Sequence, residues 1–483
     1  MSVISKPPVP MPDTQAGLAY ATARKIHPRQ VSGTYRSLKW WATALLLAYW
    51  HLAPLIRWDR GPGAPGQAIL ADMAGRRAYF FFIEIWPQEV YYLTGMLFIA
   101  AISLFLMTAL AGRVWCGFLC WQTAYTDLFV QVERLVIGDR NARIAFDRQP
   151  LSAGKIARKA AVNLIWLLIA AACGISFTLY FADAFEQLHD IFTGTASPAT
   201  YGAIAVVGGF CYLLAGHARE QVCIYMCPYG RFQSAMFDEH SLIISYEAWR
   251  GETRAPAPAS RDFTGRGHCV DCLACVQACP TGIDIRDGNQ LACIGCGLCI
   301  DACDTVMDRF GLPRGLVSYD SVSNLAARGQ GVAARFRLIR PRTLIYGGIL
   351  AVVASVMLFR LVSRPDTTVN VLHERAPLFV QMSDGAIRNG YAYKVLNMSA
   401  ENRTYSLTLS GVEGATMDMV GGRVPAHATA LTLEVPRDSV GTFQVFVSAP
   451  PSSLADKKMP LRFVLTGAHQ TVVSETLFAG PEK

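Results

Sequence analysis

The sequence predicts an α-helical membrane protein that carries a small cysteine-rich domain and ends in an all-β sandwich. Three observations predict it. Of the 483 residues 52% are hydrophobic and only 17% charged, too apolar for an ordinary soluble chain of this length. Eight of the fourteen cysteines fall between Cys269 and Cys303. Beyond about residue 365 the chain turns to short runs of β-branched and aromatic residues separated by Gly, Asn and Pro.

Five stretches approach the roughly 20 apolar residues that a bilayer requires: Leu38 to Ile56, Val90 to Ala111, Ala160 to Ala182, Tyr201 to Ala215 and Leu344 to Val362. The fourth is short, but Val206-Val207-Gly208-Gly209 suits close helix packing. Several spans carry Trp or Tyr at an edge, as interfacial anchors do.

Basic residues set the orientation. Lys6, Arg24, Lys25, Arg29, Arg36 and Lys39 stand before or at the start of the first span. Arg113, Arg134, Arg140, Arg143, Arg148, Lys155, Arg158 and Lys159 lie between the second and third, whereas Asp183 to Thr200 holds no Lys or Arg. The positive-inside rule then puts the N-terminus and the cysteine-rich segment in the cytoplasm and the C-terminus outside. Arg57, Arg60, Arg76, Arg77, Arg360 and Arg364 run weakly against it. The formal charge of +8 is explained by this asymmetry and by anionic membrane lipid, without nucleic acid. Residues 1–37 lack an apolar signal-peptide core, so the first span is expected to target the membrane itself.

The expected organisation is a mobile cytoplasmic tail at 1–37, a four-helix membrane unit at 38–245, a cluster domain at 261–325, a fifth transmembrane helix at 343–363 and an external domain at 365–483. An Ala-Pro linker between Arg250 and Ser260 precedes the cluster domain. Strands are expected to start at Tyr391, Tyr405, Leu431, Thr442 and Leu461, at spacings that suggest an immunoglobulin-like sandwich without cysteine.

The cysteine-rich segment reads Cys269-x2-Cys272-x2-Cys275-x3-Cys279-Pro280, then Cys293-x2-Cys296-x2-Cys299-x3-Cys303. This is the ligand frame of two [4Fe-4S] clusters in a ferredoxin-like domain. Three closely spaced thiolates serve one cubane, and the cysteine after the longer spacer serves the other. Cys269, Cys272, Cys275 and Cys303 are expected to hold one cluster, and Cys293, Cys296, Cys299 and Cys279 the second. Ala274, Gly295 and Gly297 are small enough for backbone amides to approach the sulfurs. Zinc sites would instead use separated C-x2-C pairs.

Two further pairs, Cys116/Cys120 and Cys223/Cys227, follow the second and fourth spans at i, i+4 spacing. On an α-helix each pair shares one face with Cβ atoms about 5–6 Å apart. Two pairs brought together make a four-thiolate site suited to Cu(I), zinc or an iron–sulfur cluster. Cys173 and Cys211 read as packing residues. His51 and His217 are candidate metal or haem ligands that serve equally well as hydrogen-bonded packing residues. Met417 and Met419 read as core, and the sequons at Asn397 and Asn402 are given no role.

The stretches Trp86 to Gly95, Gly112 to Gly117, Cys227 to Asp238, Cys279 to Gly288 and Cys299 to Asp304 resemble the CcoG family, also called FixG or RdxA, accessory proteins of cbb3-type cytochrome oxidase. The resemblance runs along nearly the whole chain. It implies a protein of the bacterial inner membrane, its clusters cytoplasmic and its C-terminal domain periplasmic, that reduces Cu(II) to Cu(I) for assembly of that oxidase. It also implies copper handling by Cys116, Cys120, Cys223 and Cys227, with oxidase subunits or copper-delivery proteins as partners and a homo-oligomer allowed. One departure is visible: Cys120 is followed by Trp121, where the family commonly has proline.

Three functions remain open at this stage. The first is a cupric reductase fed by a cytoplasmic donor, the second a non-redox copper or assembly scaffold, and the third a quinol-linked subunit resembling those of periplasmic reductase systems. No Walker loop or dinucleotide fingerprint is present, so the donor is expected to be a protein or a small reductant.

Overall fold

The computed structural model describes residues 25–481 apart from 62–63, 334, 400, 421–427, 455 and 468–469. The chain divides into two compact units, Met1–Met357 and Leu358–Lys483.

In the first unit, helix α1 (Thr34–Leu52) is followed by a three-stranded antiparallel meander, β1 (Ile69–Asp72), β2 (Arg77–Phe80) and β3 (Ile83–Ile85). Helices α2 (Val90–Ala111), α3 (Trp121–Ile137), α4 (Arg140–Arg148), α5 (Ala153–Thr178), α6 (Ala184–Thr193) and α7 (Pro198–Cys211) come next. Their starts are legible in the sequence: Ser152, Asp183 and Ser197 cap α5, α6 and α7 through side-chain oxygens, and Pro198 occupies the first turn of α7. Gly174 and Gly208 let α5 and α7 meet backbone to backbone. A Cβ at Gly174 would lie 2.5 Å from the Ile204 carbonyl oxygen. Tyr125, Phe129, Trp166, Ala170 and Cys173 form the core between α3, α5 and α7, with Cys211 packed against it.

Among the described residues four helical stretches are long and apolar enough to cross a membrane: Pro87–Ala111, Ala153–Thr178, Pro198–Ala218 and Pro341–Val362. Their outward residues, such as Leu97, Leu168 and Val352, are exposed, as lipid-facing residues are. The expected first span is the difference. It does form a helix, but α1 is not among the four, because its polar residues, Arg36, Lys39 and His51 among them, leave it less apolar than the others. The segment expected as a mobile tail also differs where it is described. The Arg29 and Gln30 amides donate to the Gln277 carbonyl and Asp139 carboxylate, and the Pro28 carbonyl accepts from Arg134. Residues 1–24 lie outside the described residues.

Helix α8 (Pro228–Met236) leads to β4 (Ile243–Tyr246), and the short helix α9 (Ala248–Gly251) to the cysteine-rich domain with α10 (Ala274–Ala278) and α11 (Leu298–Phe310). Strand β5 (Val317–Asp320) pairs antiparallel with β4 and closes that domain; α12 (Val322–Gly329) and α13 (Pro341–Val362) follow. The domain is fastened to α1. The Asp301 carboxylate of α11 accepts from the Tyr35 and Arg36 amides at 3.2 and 2.7 Å, satisfying donors that a helix start leaves without intrahelical partners.

The second unit is a two-sheet sandwich. One sheet has the order β10 (Thr416–Met419), β12 (Ser439–Ala449), β8 (Ile387–Asn397), β6 (Thr367–His373), with β7 (Val380–Gln381) also paired to β8. The other has the order β11 (Ala430–Val435), β9 (Arg403–Ser410), β13 (Lys458–Thr466), β14 (Thr471–Ala479). Alternation drives it: along β11 every second residue is buried. Tyr391, Tyr393, Leu407, Met417, Leu433 and Phe463 fill the space between the sheets, the Leu, Met and Phe side chains each contributing roughly 1.5–3 kcal/mol if wholly transferred from water. Met417 is thus core. Asn397 is fully buried and donates to the Glu401, Val435 and Pro436 carbonyls, so that sequon is structural.

Candidate thiol and cluster sites

Each membrane-proximal cysteine pair sits on the same unusual turn. Helix α2 ends at Gly112 (φ 58°), residues Trp115–Leu119 make a π-turn, and Cys120 is extended before α3 begins. Arg219 (φ 43°), the π-turn Val222–Met226 and extended Cys227 before α8 repeat that order. In both copies the cysteines stand four and eight residues after the positive-φ residue, an internal repeat that the sequence reading did not find. The expected α-helical i, i+4 face is therefore replaced by a wider turn: the Cys227 amide donates to Val222 O, five residues back, at 2.8 Å. Positive φ suits glycine but not arginine. Arg219 is held there by Glu133, whose Oε1 lies 2.6 Å from Nη2, while its own Nε donates to Gly216 O.

The two turns converge. The Cys116 thiol lies within electrostatic reach of Cys120, Cys223 and Cys227, and burial pushes it up to about 12 while Arg113 opposes the shift. Burial pushes Cys223 up to about 11. Cys116 donates to Gln233 Oε1 at 3.1 Å, and buried Gln233 donates in turn to Thr108 Oγ1 at 3.3 Å. Buried Arg113 bridges to the cysteine-rich domain, donating to the Leu291 and Cys293 carbonyls and to Gly230 O. Cys116 and Cys223 pack against the cluster formed by Ile294, Cys296 and Leu298. Glycine is obligatory at this seam, since a Cβ at Gly117 would lie 2.5 Å from Gly295 O.

In the cysteine-rich domain the two tetrads adopt matching backbones. Asp271 and Leu273 (φ 52° and 55°) occupy the places that Gly295 and Gly297 (φ 64° and 72°) take in the second tetrad. Left-handed turns between the cysteines are thus common to both halves, although only the second uses glycine. There Gly297 is also required by space, a Cβ falling 2.6 Å from the Tyr35 ring. The eight thiols line two small cavities. Cys269, Cys272, Cys275 and Cys303 line the first, beside Arg286 and Met307. Cys279, Cys293, Cys296 and Cys299 line the second with Ile244, Ile283 and Ile294, and Cys275 borders both. Burial raises the Cys275, Cys293, Cys296, Cys299 and Cys303 thiols above their ordinary value, the first two to about 12. Cys272 is exposed, so the first cavity lies at the surface and the second towards the membrane-proximal thiols.

Among the described residues no three His, Cys, Asp or Glu side chains stand as a preformed metal-coordinating group. His51 hydrogen-bonds Ser176 Oγ (2.6 Å) and Tyr125 OH (3.4 Å), while His217 packs edge-on against Trp166 and Tyr212. Sequence reasoning overlooked Gln233, Arg113 and Lys39 as neighbours of these thiols. Only the first two lie in or beside motif stretches that could have flagged them.

The 4Fe-4S dicluster domain family matches residues 218–322, a 4Fe-4S binding domain family residues 93–137, and the family described as an IG-like fold at the C-terminal of FixG residues 357–481. The nitrogen fixation protein FixG of Rhizobium meliloti is 45% identical over 468 residues, covering 91% of this chain and 89% of its own. Protein RdxB of Cereibacter sphaeroides is 43% identical over 477 residues, covering 97% and 99%. The crystal structure of a FixG-related protein from Vibrio parahaemolyticus is 20% identical, covers 24% of this chain and 96% of its own, and has a TM-score of 0.21.

Proposed function

We propose that this chain, which belongs to the FixG family, is a membrane-bound iron–sulfur electron-transfer protein that reduces Cu(II) to Cu(I) for assembly of cbb3-type cytochrome oxidase. The observation that carries the reading is the seam at which Cys116 and Cys223 pack against the buried cluster of Ile294, Cys296 and Leu298. The thiol chemistry and the two separate cavities fit two [4Fe-4S] clusters, one within reach of Cys269, Cys272, Cys275 and Cys303 and one within reach of Cys279, Cys293, Cys296 and Cys299. When bound, such clusters supply single electrons at potentials tuned by hydrogen bonds, charge and exposure.

The protein's own residues do the rest. Exposed Cys272 marks the end at which a donor docks, and buried Cys296 the end nearest copper. Cys116, Cys120, Cys223 and Cys227 receive copper as substrate, and Cu(II) becomes Cu(I) by gaining one electron from the donor. Thiolates prefer Cu(I), so this site favours the reduced product. Because burial raises the Cys116 and Cys223 thiols, binding releases protons, and Arg113 favours the thiolate left at Cys116. The arginine and lysine distribution supports clusters on the cytoplasmic side, a periplasmic sandwich and α1 as a fifth span, with oxidase subunits or copper-delivery proteins docking on the sandwich.

One observation favours the quinol-linked alternative: a large cavity beside Trp166, His217, Asn163 and Glu133 at the end of the α5 and α7 pair. Anaerobic protein decides between the readings. The double variant Cys223→Ser/Cys227→Ser is expected to lose copper binding and Cu(II) reduction while keeping its iron, whereas Cys272→Ser/Cys296→Ser keeps copper and loses reduction. Full Cu(II) reduction by the first variant overturns the copper assignment. Cluster reduction by quinol with no dependence on copper establishes the alternative, and a wild-type protein unable to reduce Cu(II) is a scaffold.

A further inference from the structure

Lys39 is 2% exposed, in the second turn of α1. Burying an ammonium is costly unless its charge is used. Its Nζ lies 3.8 Å from Asp127 Oδ2, beyond hydrogen-bond range, and the Asp127 carboxylate is already taken by Arg36 Nη1 at 2.8 and 3.0 Å. Two cations thus share one carboxylate, leaving an excess positive charge. Lys39 lines a cavity with Cys223, Pro280, Thr281 and Ile294, so one wall of that cavity belongs to the four-thiol centre and another to the second tetrad. Pro280 and Thr281 directly follow Cys279, and Ile294 stands between Cys293 and Cys296, so the cavity that Lys39 lines borders the segments carrying the second cluster's ligands. The remaining charged groups at this cavity are Arg219, paired with Glu133, and Glu220.

From this placement we propose that Lys39 is a positioning residue whose buried charge raises the electron affinity of the cluster held by Cys279, Cys293, Cys296 and Cys299, selectively over the other cluster. The inference rests on the cluster assignment above. A thiolate-ligated cluster gains a further negative charge on reduction, and a fixed cation beside it favours that state. At an effective dielectric of about 20, a unit charge within about 12 Å changes a one-electron equilibrium roughly tenfold or more.

The test is a redox titration of the full-length protein, followed by the paramagnetic signals of its reduced clusters, with the second cluster's signal identified by its loss in Cys279→Ser. Lys39→Met is expected to disfavour reduction of the second cluster about tenfold, a lowering of about 59 mV for a one-electron couple, and to leave the first cluster in place as internal reference. Lys39→Arg restores the wild-type value, and Asp127→Asn, which removes the opposing charge, shifts the second cluster upward. An unshifted second cluster in Lys39→Met, or equal shifts in both clusters, overturns the proposal. So does loss of iron from Lys39→Met together with an unshifted Asp127→Asn, which would make Lys39 structural. Iron and sulfide for only one cluster in the unmutated protein would instead overturn the ligand assignment.

Discussion

Glu133→Gln removes the carboxylate on which two buried guanidiniums depend. Glu133 Oε1 lies 2.6 Å from Arg219 Nη2 and Oε2 lies 3.2 Å from Arg143 Nη1, and all three side chains are at most 8% exposed. Breaking a buried ion pair at one partner costs about 3–5 kcal/mol, because the remaining charge stays desolvated and uncompensated. Here two charges remain, so the upper part of that range applies. With roughly 2 °C lost per kcal/mol in a unit this large, the thermal midpoint in detergent should fall by about 8–10 °C. The damage should reach the thiol site, since Arg219 holds the positive-φ turn four residues before Cys223. The rate at which Cys223 reacts with a thiol reagent should therefore change more than that of Cys116. Burial alone would raise the Glu133 carboxyl, but the guanidiniums, Arg219 foremost, hold it below its ordinary value. Its stabilising effect is thus present above the unfolded carboxylate pKa and is lost as pH falls through the lower folded value. Wild type should lose its advantage over Glu133→Gln only in acid. A midpoint shift under 2 °C, or an advantage that persists unchanged into acid, would refute the reasoning.

Cys279→Ser should cut the iron bound per chain by about half and remove the cluster at Cys293, Cys296 and Cys299, while Cys303→Ser should remove the other; matching losses from both variants would reverse the crossed pairing. For orientation, a reporter active only in the periplasm should be active when fused after Lys483 or within 183–200 and silent after Gly288, and the opposite pattern would move the clusters outside.

The cysteine spacing by itself determined that the chain has two tetrads, because a cubane needs thiolates at short, fixed sequence separations. Hydropathy marked five helical stretches, four of them apolar and long enough to cross a membrane, and period-two alternation marked the sandwich, since both are local patterns that the backbone repeats must follow. What only tertiary structure decided are matters of non-local pairing. That Arg36 and Lys39 are buried was not legible, because the carboxylate they share is Asp127 from α3, a residue 91 positions away from Arg36. The backbone at the cysteine pairs was equally illegible. An i, i+4 spacing suits an α-helix, but both pairs sit on π-turns that follow a positive-φ residue, and in the second copy that residue is Arg219, whose side chain is paired with Glu133, 86 residues earlier. The seam between the thiol pairs and the second tetrad likewise depends on Gly117 meeting Gly295 across the fold. Sequence records which atoms can bind metal and at what local spacing. Only folding brings buried charges from distant segments to the same few ångströms, where low dielectric makes their placement matter.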